Sequence, residues 1–325
     1  MQSKEISKSK LFFGSIEWNK YMVYIVFVIM FALFSIVLGD KGFLTQNNLI
    51  NVLRQTAMIS IMAVAGTFVI ASGQIDLTVG AVAAMSAMIV SLVLQKTDSI
   101  FLALVCGLTL GISSGLINGI LVTKFRIPPF LATMGMMSVI RGSAMWITNT
   151  AAVPIKNMTF NKVFGIGNIG GLPVLILWTI LFYIVGVIIF NKTIFGRHTL
   201  AVGGNEVSAG YSGIKIDKIK IIVFLMSGVF AAFAGILYAG RMQAGRFSFG
   251  EGDEMSVIAA VVLGGTSMSG GTGSVVGALV GSILMGVINN ALILAGLSSA
   301  QQTIVRGVII VVAVVLSNLS QKQKR

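Results

Sequence analysis

Histidine and cysteine are almost missing from this chain: His198 and Cys106 are the only examples of each. A single histidine, set in a basic segment, assembles no His-based metal or catalytic cluster. A single cysteine inside an apolar run builds no disulfide framework. Charge is scarce as well, at 10% of the residues against about 25% in soluble domains. With 56% apolar residues and a mean hydropathy of +0.95, that scarcity excludes a soluble globular protein. The chain has no G-x-x-x-x-G-K-[ST] segment, so it holds no nucleotide through a P-loop of its own. H-E-x-x-H and a convincing Ser/His/acid set are missing too. The glycine clusters at 264–273 lack a lysine and adjoin apolar runs, which argues against phosphate cradling. No catalytic residue, metal or cofactor is expected, and the chain is not expected to be an enzyme.

What remains is apolar, continuous and rich in glycine. Continuous rather than alternating runs point to an all-α polytopic membrane protein and away from a β-barrel. The 38 glycines give the spans small faces for close packing. At about 20 apolar residues per span, ten candidate spans lie near 21–38, 53–72, 78–95, 100–122, 129–147, 172–190, 221–240, 255–270, 272–294 and 302–318. The second opens on Arg54 and Gln55 and the eighth is short, so either can be partial or re-entrant. The apolar run 21–38 is too long for a signal h-region and has no small-x-small cleavage site. It reads as a retained first span.

A net charge of +13 would suggest nucleic acid in a soluble protein. Here the basic residues are sorted into a few loops and the termini, so no nucleic-acid partner is expected. Ten spans place both termini and the 191–220 loop on one side. That side carries fourteen of the 23 Lys and Arg, the opposite side seven, and the spans Arg141 and Arg306. The bias makes it the cytoplasmic side of a bacterial inner membrane. The organisation is then a tail over 1–20, a membrane domain over 21–318 and a tail over 319–325.

Two Gly-rich segments interrupt the apolar pattern, 70–80 and 262–277. Paired interruptions are the sequence pointer to broken helices in a transporter, since irregular backbone at membrane depth needs protein or a watery cavity around it. Plain turns between spans explain them equally. Within the first, Gln74, Asp76 and Thr78 are candidate lining residues. Asp76 can instead cap the helix that begins at Leu77 or Thr78. Arg141 either snorkels or faces the bundle interior. Asn118, Asn289 and Asn290 can line a route or bond across helices. The loop 241–254, with Arg241, Arg246, Glu251 and Glu254, mixes signs as a docking surface for a soluble protein would, or as a solvated loop does.

The segment 191–220 is the one long hydrophilic stretch, with five Lys and Arg between two spans. Its interior reads as a short helix capped by Asn205, with Glu206 in its first turn and Gly213 at its end. Val207, Ala209 and Gly210 are expected on an exposed face where another protein can approach closely.

GQIDLTVGA (73–81), TMGMMSVIRG (133–142), FGRHTLAVGGNEVSAGYSGI (195–214) and IAAVVLGGTSMSGGTGSVVGALVG (258–281) resemble, in order, the signature blocks of the ribose-type ABC importer permeases. The likeness runs from about residue 45 to 317. It implies a type II-like importer fold of about ten spans and a homodimer of permeases. It further implies an ATPase with two nucleotide-binding cassettes and an extracytoplasmic binding protein that delivers a ribose-like monosaccharide or small polyol. The 191–220 loop would couple to the ATPase, with Gly196, Arg197, Gly203, Gly204, Asn205, Glu206, Ala209, Gly210 and Gly213 as its candidate residues. An ion-coupled secondary transporter, using an intramembrane acid such as Asp76, is the competing class; a channel is a third.

Overall fold

The computed structural model describes residues 18–322. The basic residues Lys4, Lys8, Lys10, Lys324 and Arg325, on which part of the charge bias rests, lie outside them. The fold is a helical bundle with two small two-stranded ribbons. In chain order the helices of six residues or more are α1 (Trp18–Val37), α2 (Gln46–Ala71), α3 (Val79–Thr97), α4 (Ile100–Thr123), α5 (Pro129–Thr148), α6 (Val174–Lys192), α7 (Ile194–Gly204), α8 (Glu206–Tyr211), α9 (Ile216–Met242), α10 (Asp253–Leu263), α11 (Val275–Leu294) and α12 (Ser299–Lys322). Seven of them, α2 to α6 with α9 and α11, are long and apolar enough to cross a membrane, and α1 carries a shorter apolar stretch, Val23–Val37.

Local chemistry sets most boundaries. Thr45, Ser99, Thr193, Asn205 and Ser274 each accept a backbone N–H from the first turn of the helix they precede. Asp98, Asn149 and Gln243 end α3, α5 and α9 in the left-handed conformation. The second expected span does not begin at Arg54: Thr45 starts α2 seven residues before residue 53, and Arg54 instead donates to Asn168 Oδ1 at 3.1 Å. The eighth is not a full span. α10 has 11 residues, about 16 Å at 1.5 Å per residue, and the remainder of 255–270 is a Gly-rich turn.

α2, α3 and α9 form the buried centre, while α4, α5 and α6 keep large apolar side chains on the outside, as lipid contact requires. α4 packs on α9 through Gly111, Gly115 and Gly119, a row four residues apart on one face. A Cβ on Gly111 would collide with the Gly228 carbonyl, and one on Gly115 with the Phe224 carbonyl. Backbone meets backbone along this seam, which in a membrane is the main source of helix–helix attraction. Gly111→Leu is therefore expected to cost several kcal/mol, beyond the ~1–3 typical of overpacking, and to remove folded protein from the membrane. Gly142→Leu, with nothing within 4 Å of a Cβ at that position, is expected to accumulate normally. Membrane yield and monodispersity of the two purified variants check the contrast.

The ends of the bundle differ. One carries α7 and α8 and is tied to the α4–α5 turn by Asp217, which lies 3.7 Å from Lys124 and 3.8 Å from Arg126. At the other, Val153–Pro154 pairs antiparallel with Ala244–Gly245, and Asn157 Nδ2 donates to Asp98 Oδ1 at 2.8 Å.

Candidate functional site

Residues 191–220 form two helices rather than one. α7 follows α6 directly, started by Thr193, and its Gly196 lies against the Phe190 carbonyl, where a side chain would collide. Asn205 ends α7 and begins α8, its Oδ1 accepting the Ser208 N–H at 2.9 Å. Gly213, at φ +82°, turns the chain out of α8 toward α9. Glu206 is no free first-turn acid: its Oε2 accepts from Lys220 Nζ at 2.8 Å, and Lys220 is buried. That pair fastens α8 to the first turn of α9.

The exposed face of α8 differs from the expectation. Ala209 is buried at 4% exposure, and a Cβ on Gly210 would press Ile216 at 3.2 Å. Both face the permease because α8 lies flat on α9, so neither offers a docking surface. The outward residues are Val207, 67% exposed, and Tyr211, 90% exposed. Four residues apart, they form one apolar pair on one face. Arg197 is exposed on α7.

Behind α7 and α8, glycines from three distant segments meet. A Cβ on Gly203 would collide with the Ala71 carbonyl at the end of α2. One on Gly270 would lie 2.6 Å from the Gly203 carbonyl oxygen, and one on Gly271 2.7 Å from Gly204 Cα. The Gly271 N–H donates to the Ala71 carbonyl at 2.9 Å, bridging the two chain interruptions directly. Both interruptions thus turn at the end of the bundle that carries α7 and α8. Gly73, at φ +74°, reverses the chain beside Gly203.

From there the first interruption re-enters the bundle as an extended, buried strand of chain. Gln74, Asp76 and Thr78 are all buried. Asp76 Oδ1 accepts from the Thr78 backbone N–H at 2.8 Å and from its hydroxyl at 2.6 Å, so the carboxylate closes a turn at the start of α3. Asn118 Nδ2 of α4 donates to the Thr78 hydroxyl at 3.1 Å, and Thr133 of α5 donates to the Ile75 carbonyl at 3.4 Å. Four sequence candidates, Gln74, Asp76, Thr78 and Asn118, therefore share one neighbourhood.

The remaining candidates separate. Asn290 exchanges two amide hydrogen bonds with Asn48 at 2.9 and 3.0 Å, an α11–α2 clasp. Asn289 faces Arg306 and lines a cavity. Arg141 turns inward and donates to the Phe247 carbonyl at 2.8 Å, holding the 243–252 segment in place. Of the four loop charges, Arg246 and Glu251 are exposed, whereas Arg241 lines the same cavity as Asn289 and Glu254 packs near Gly80. Two partners escaped sequence reasoning: Asp253, whose Oδ2 accepts from the Tyr238 hydroxyl at 2.6 Å, and the Gly270–Gly271 contact with Gly203–Gly204. The Gly-Gly pairs were a visible signal for the second; nothing local signalled the first.

A bundle of apolar helices with a buried polar re-entry and a helical loop presenting two apolar knobs defines a multi-pass membrane permease. The chain belongs to the family described as branched-chain amino acid transport system / permease component, whose model matches residues 48–314. It is similar to the ribose import permease protein RbsC of Bacillus subtilis, 40% identical over 281 residues, covering 85% of this chain and 86% of the relative. A probable ABC transporter permease protein, YphD, of Escherichia coli is 40% identical over 328 residues, covering 100% and 97%. The L-arabinose transport system permease protein AraH of Escherichia coli is 36% identical over 318 residues, covering 98% and 96%. No solved structure matches the chain.

Proposed function

We propose that this protein is the membrane permease subunit of an ATP-driven importer of simple sugars. Two copies of the chain, a double-cassette ATPase and an extracytoplasmic binding protein would complete it. The observation that carries the reading is the face of α8, where Val207 and Tyr211 stand out on a helix fastened to α9 and joined through Asn205 to α7, whose end meets both chain interruptions. An apolar i, i+4 pair on a short anchored helix suits insertion into a groove of a soluble partner. Relatives named for ribose and arabinose import support a monosaccharide as cargo. The fold is then of the type II-like class, with ten passes of which α10 is a half-length one. Both termini and the α7–α8 end are cytoplasmic, and Arg246 and Glu251 face the binding protein.

The competing ion-coupled reading needs a carboxylate that changes charge during transport. Asp76 Oδ1 instead holds a backbone N–H and a hydroxyl at the start of α3, bonds that an asparagine oxygen accepts equally well. Asp76→Asn is therefore expected to support ATP-driven uptake within about twofold of wild type, while Asp76→Ala loses folded protein through an uncapped start, a loss of ~0.5–2 kcal/mol. The test is uptake of labelled ribose, arabinose, xylose, glucose and galactose by proteoliposomes carrying permease, ATPase and binding protein. Uptake of one or more sugars that needs ATP and persists in a protonophore supports the importer. Uptake driven by a proton or sodium gradient without ATP, and abolished by Asp76→Asn, would establish the competing class.

A further inference from the structure

At the end of the bundle opposite α8, a cavity of about 270 Å³ opens among α2, α9, α10, α11 and α12. It arises because α10 is only 11 residues long. The 243–252 segment dips into the bundle, with Phe249 stacked on Tyr238 at 5.6 Å and Gly250 against Gly80. α10 then starts at depth and leaves the space above its first turn open. Polar side chains converge there: Gln55, Arg241, Asp253, Ser256, Asn289 and Arg306. The rest of the neighbouring helical surface is overwhelmingly apolar, and polar groups at membrane depth mark functional sites by default.

Their arrangement is that of a lining and not of a closed network. Asp253, 8% exposed, uses one carboxylate oxygen for the Tyr238 hydroxyl. Neither Arg241 nor Arg306 forms an ion pair with it among the described residues, since no N···O separation reaches 4.0 Å. Arg306 makes only a 3.4 Å contact to Asn289 Oδ1, and Arg241 only a 3.5 Å contact to the Arg54 carbonyl. Donors and acceptors are thus set around a space.

We infer that this cavity is a binding site for one monosaccharide within a single subunit, an inference that rests on the sugar-importer reading. Sugar hydroxyls both donate and accept, so they satisfy Asp253 and Asn289 as acceptors and the two guanidinium groups as donors. The volume lies just under the ~300 Å³ at which small-molecule sites begin, which suits one sugar ring and excludes a disaccharide. Two guanidinium groups face one carboxylate, so charge alone does not exclude a sugar acid, and gluconate is the competing occupant that the test includes. Tyr238, the one aromatic side chain in the lining, has one face covered by Phe249.

The test uses the complete transporter with Cys106→Ser and Asn289→Cys, leaving one thiol. The rate of modification by a small cationic methanethiosulfonate added from the binding-protein side is measured with each of the five sugars, with sucrose and with gluconate. Slowing of several-fold by a sugar that the wild-type complex takes up, and none by sucrose, is the expected result. A thiol that reacts at one rate whatever is added, that fails to react, or that only gluconate protects overturns the site. Gln55→Cys repeats the experiment on α2 if Asn289→Cys does not reach the membrane. Wild-type uptake is recorded in parallel: uptake without protection overturns this site alone, whereas no ATP-driven sugar uptake overturns the importer reading itself.

Discussion

Val207→Ala with Tyr211→Ala is expected to abolish recovery of the ATPase with the permease and to reduce sugar uptake more than a hundredfold. The permease itself should stay folded, because these side chains are 67% and 90% exposed and hold nothing inside the subunit. If α8 is the coupling helix, each is an apolar anchor filling a pocket of the partner. Central anchors of this kind cost about 2 kcal/mol or more on truncation, and each 1.4 kcal/mol is about tenfold in affinity. Arg197, exposed on α7, would alter association rate and salt dependence far more than affinity. Ala209→Trp is the contrasting variant: its side chain points into the subunit, so it should lower permease yield before any docking step. Co-purification of a tagged ATPase, with uptake measured on the same samples, reads both effects. Full ATPase recovery by the double variant would remove α8 from the coupling role.

The second large effect is expected one layer deeper, from a single methyl group. Gly203→Ala places a Cβ against the Ala71 carbonyl and 2.8 Å from the Gly271 nitrogen, the two atoms that bridge the chain interruptions. Neither is a flexible side chain, so the backbone has to move, and interiors yield to such insertions at ~1–3 kcal/mol. Gly204→Ala, one residue on, meets only Gly271 Cα at 3.6 Å, an ordinary contact. The pair therefore separates recognition from transmission. Gly203→Ala should keep the ATPase bound through the untouched Val207–Tyr211 face yet lose most uptake, at least tenfold, while Gly204→Ala transports normally. ATPase recovery, ATP hydrolysis and uptake are the three readouts. Equal uptake by the two alanine variants would mean that the glycine junction transmits nothing.

The features that sequence made legible are those that composition or nearest neighbours decide. Long apolar runs became helices because only helices and closed barrels survive in hydrocarbon and these runs do not alternate, and Asn205 became a cap because its oxygen needs only the Ser208 N–H three residues on. α10 was visibly short for the same reason, since length alone limits it. The misreadings came from contacts across the chain. Ala209 looked like a surface residue because it sits in a hydrophilic segment, yet α8 lies on α9 and hides it. For Asn290 the sequence left two roles open, lining a route or bonding across helices, and Asn48 on α2 supplies the second. The meeting of Gly203 with Gly270 and the Tyr238–Asp253 bond join segments that no periodicity relates, and only tertiary packing reveals them.

α10 also bears on how the chain enters the bilayer during synthesis. Eleven residues that begin Asp253–Glu254 fall well below the about 20 apolar residues that partition into lipid unaided, and acidic residues raise the cost further. The insertion machinery has no reason to release this stretch sideways when it emerges. Its seat is built by other helices: Val257 and Val261 rest on Gly66 of α2, and Ala260 lies against Gly281 of α11. α11 is made after α10, so the half-helix waits at the interface and is drawn in only once α11 is in place. Truncation before residue 275 is thus expected to leave α10 outside the membrane, so that the last sixth of translation decides whether the bundle closes.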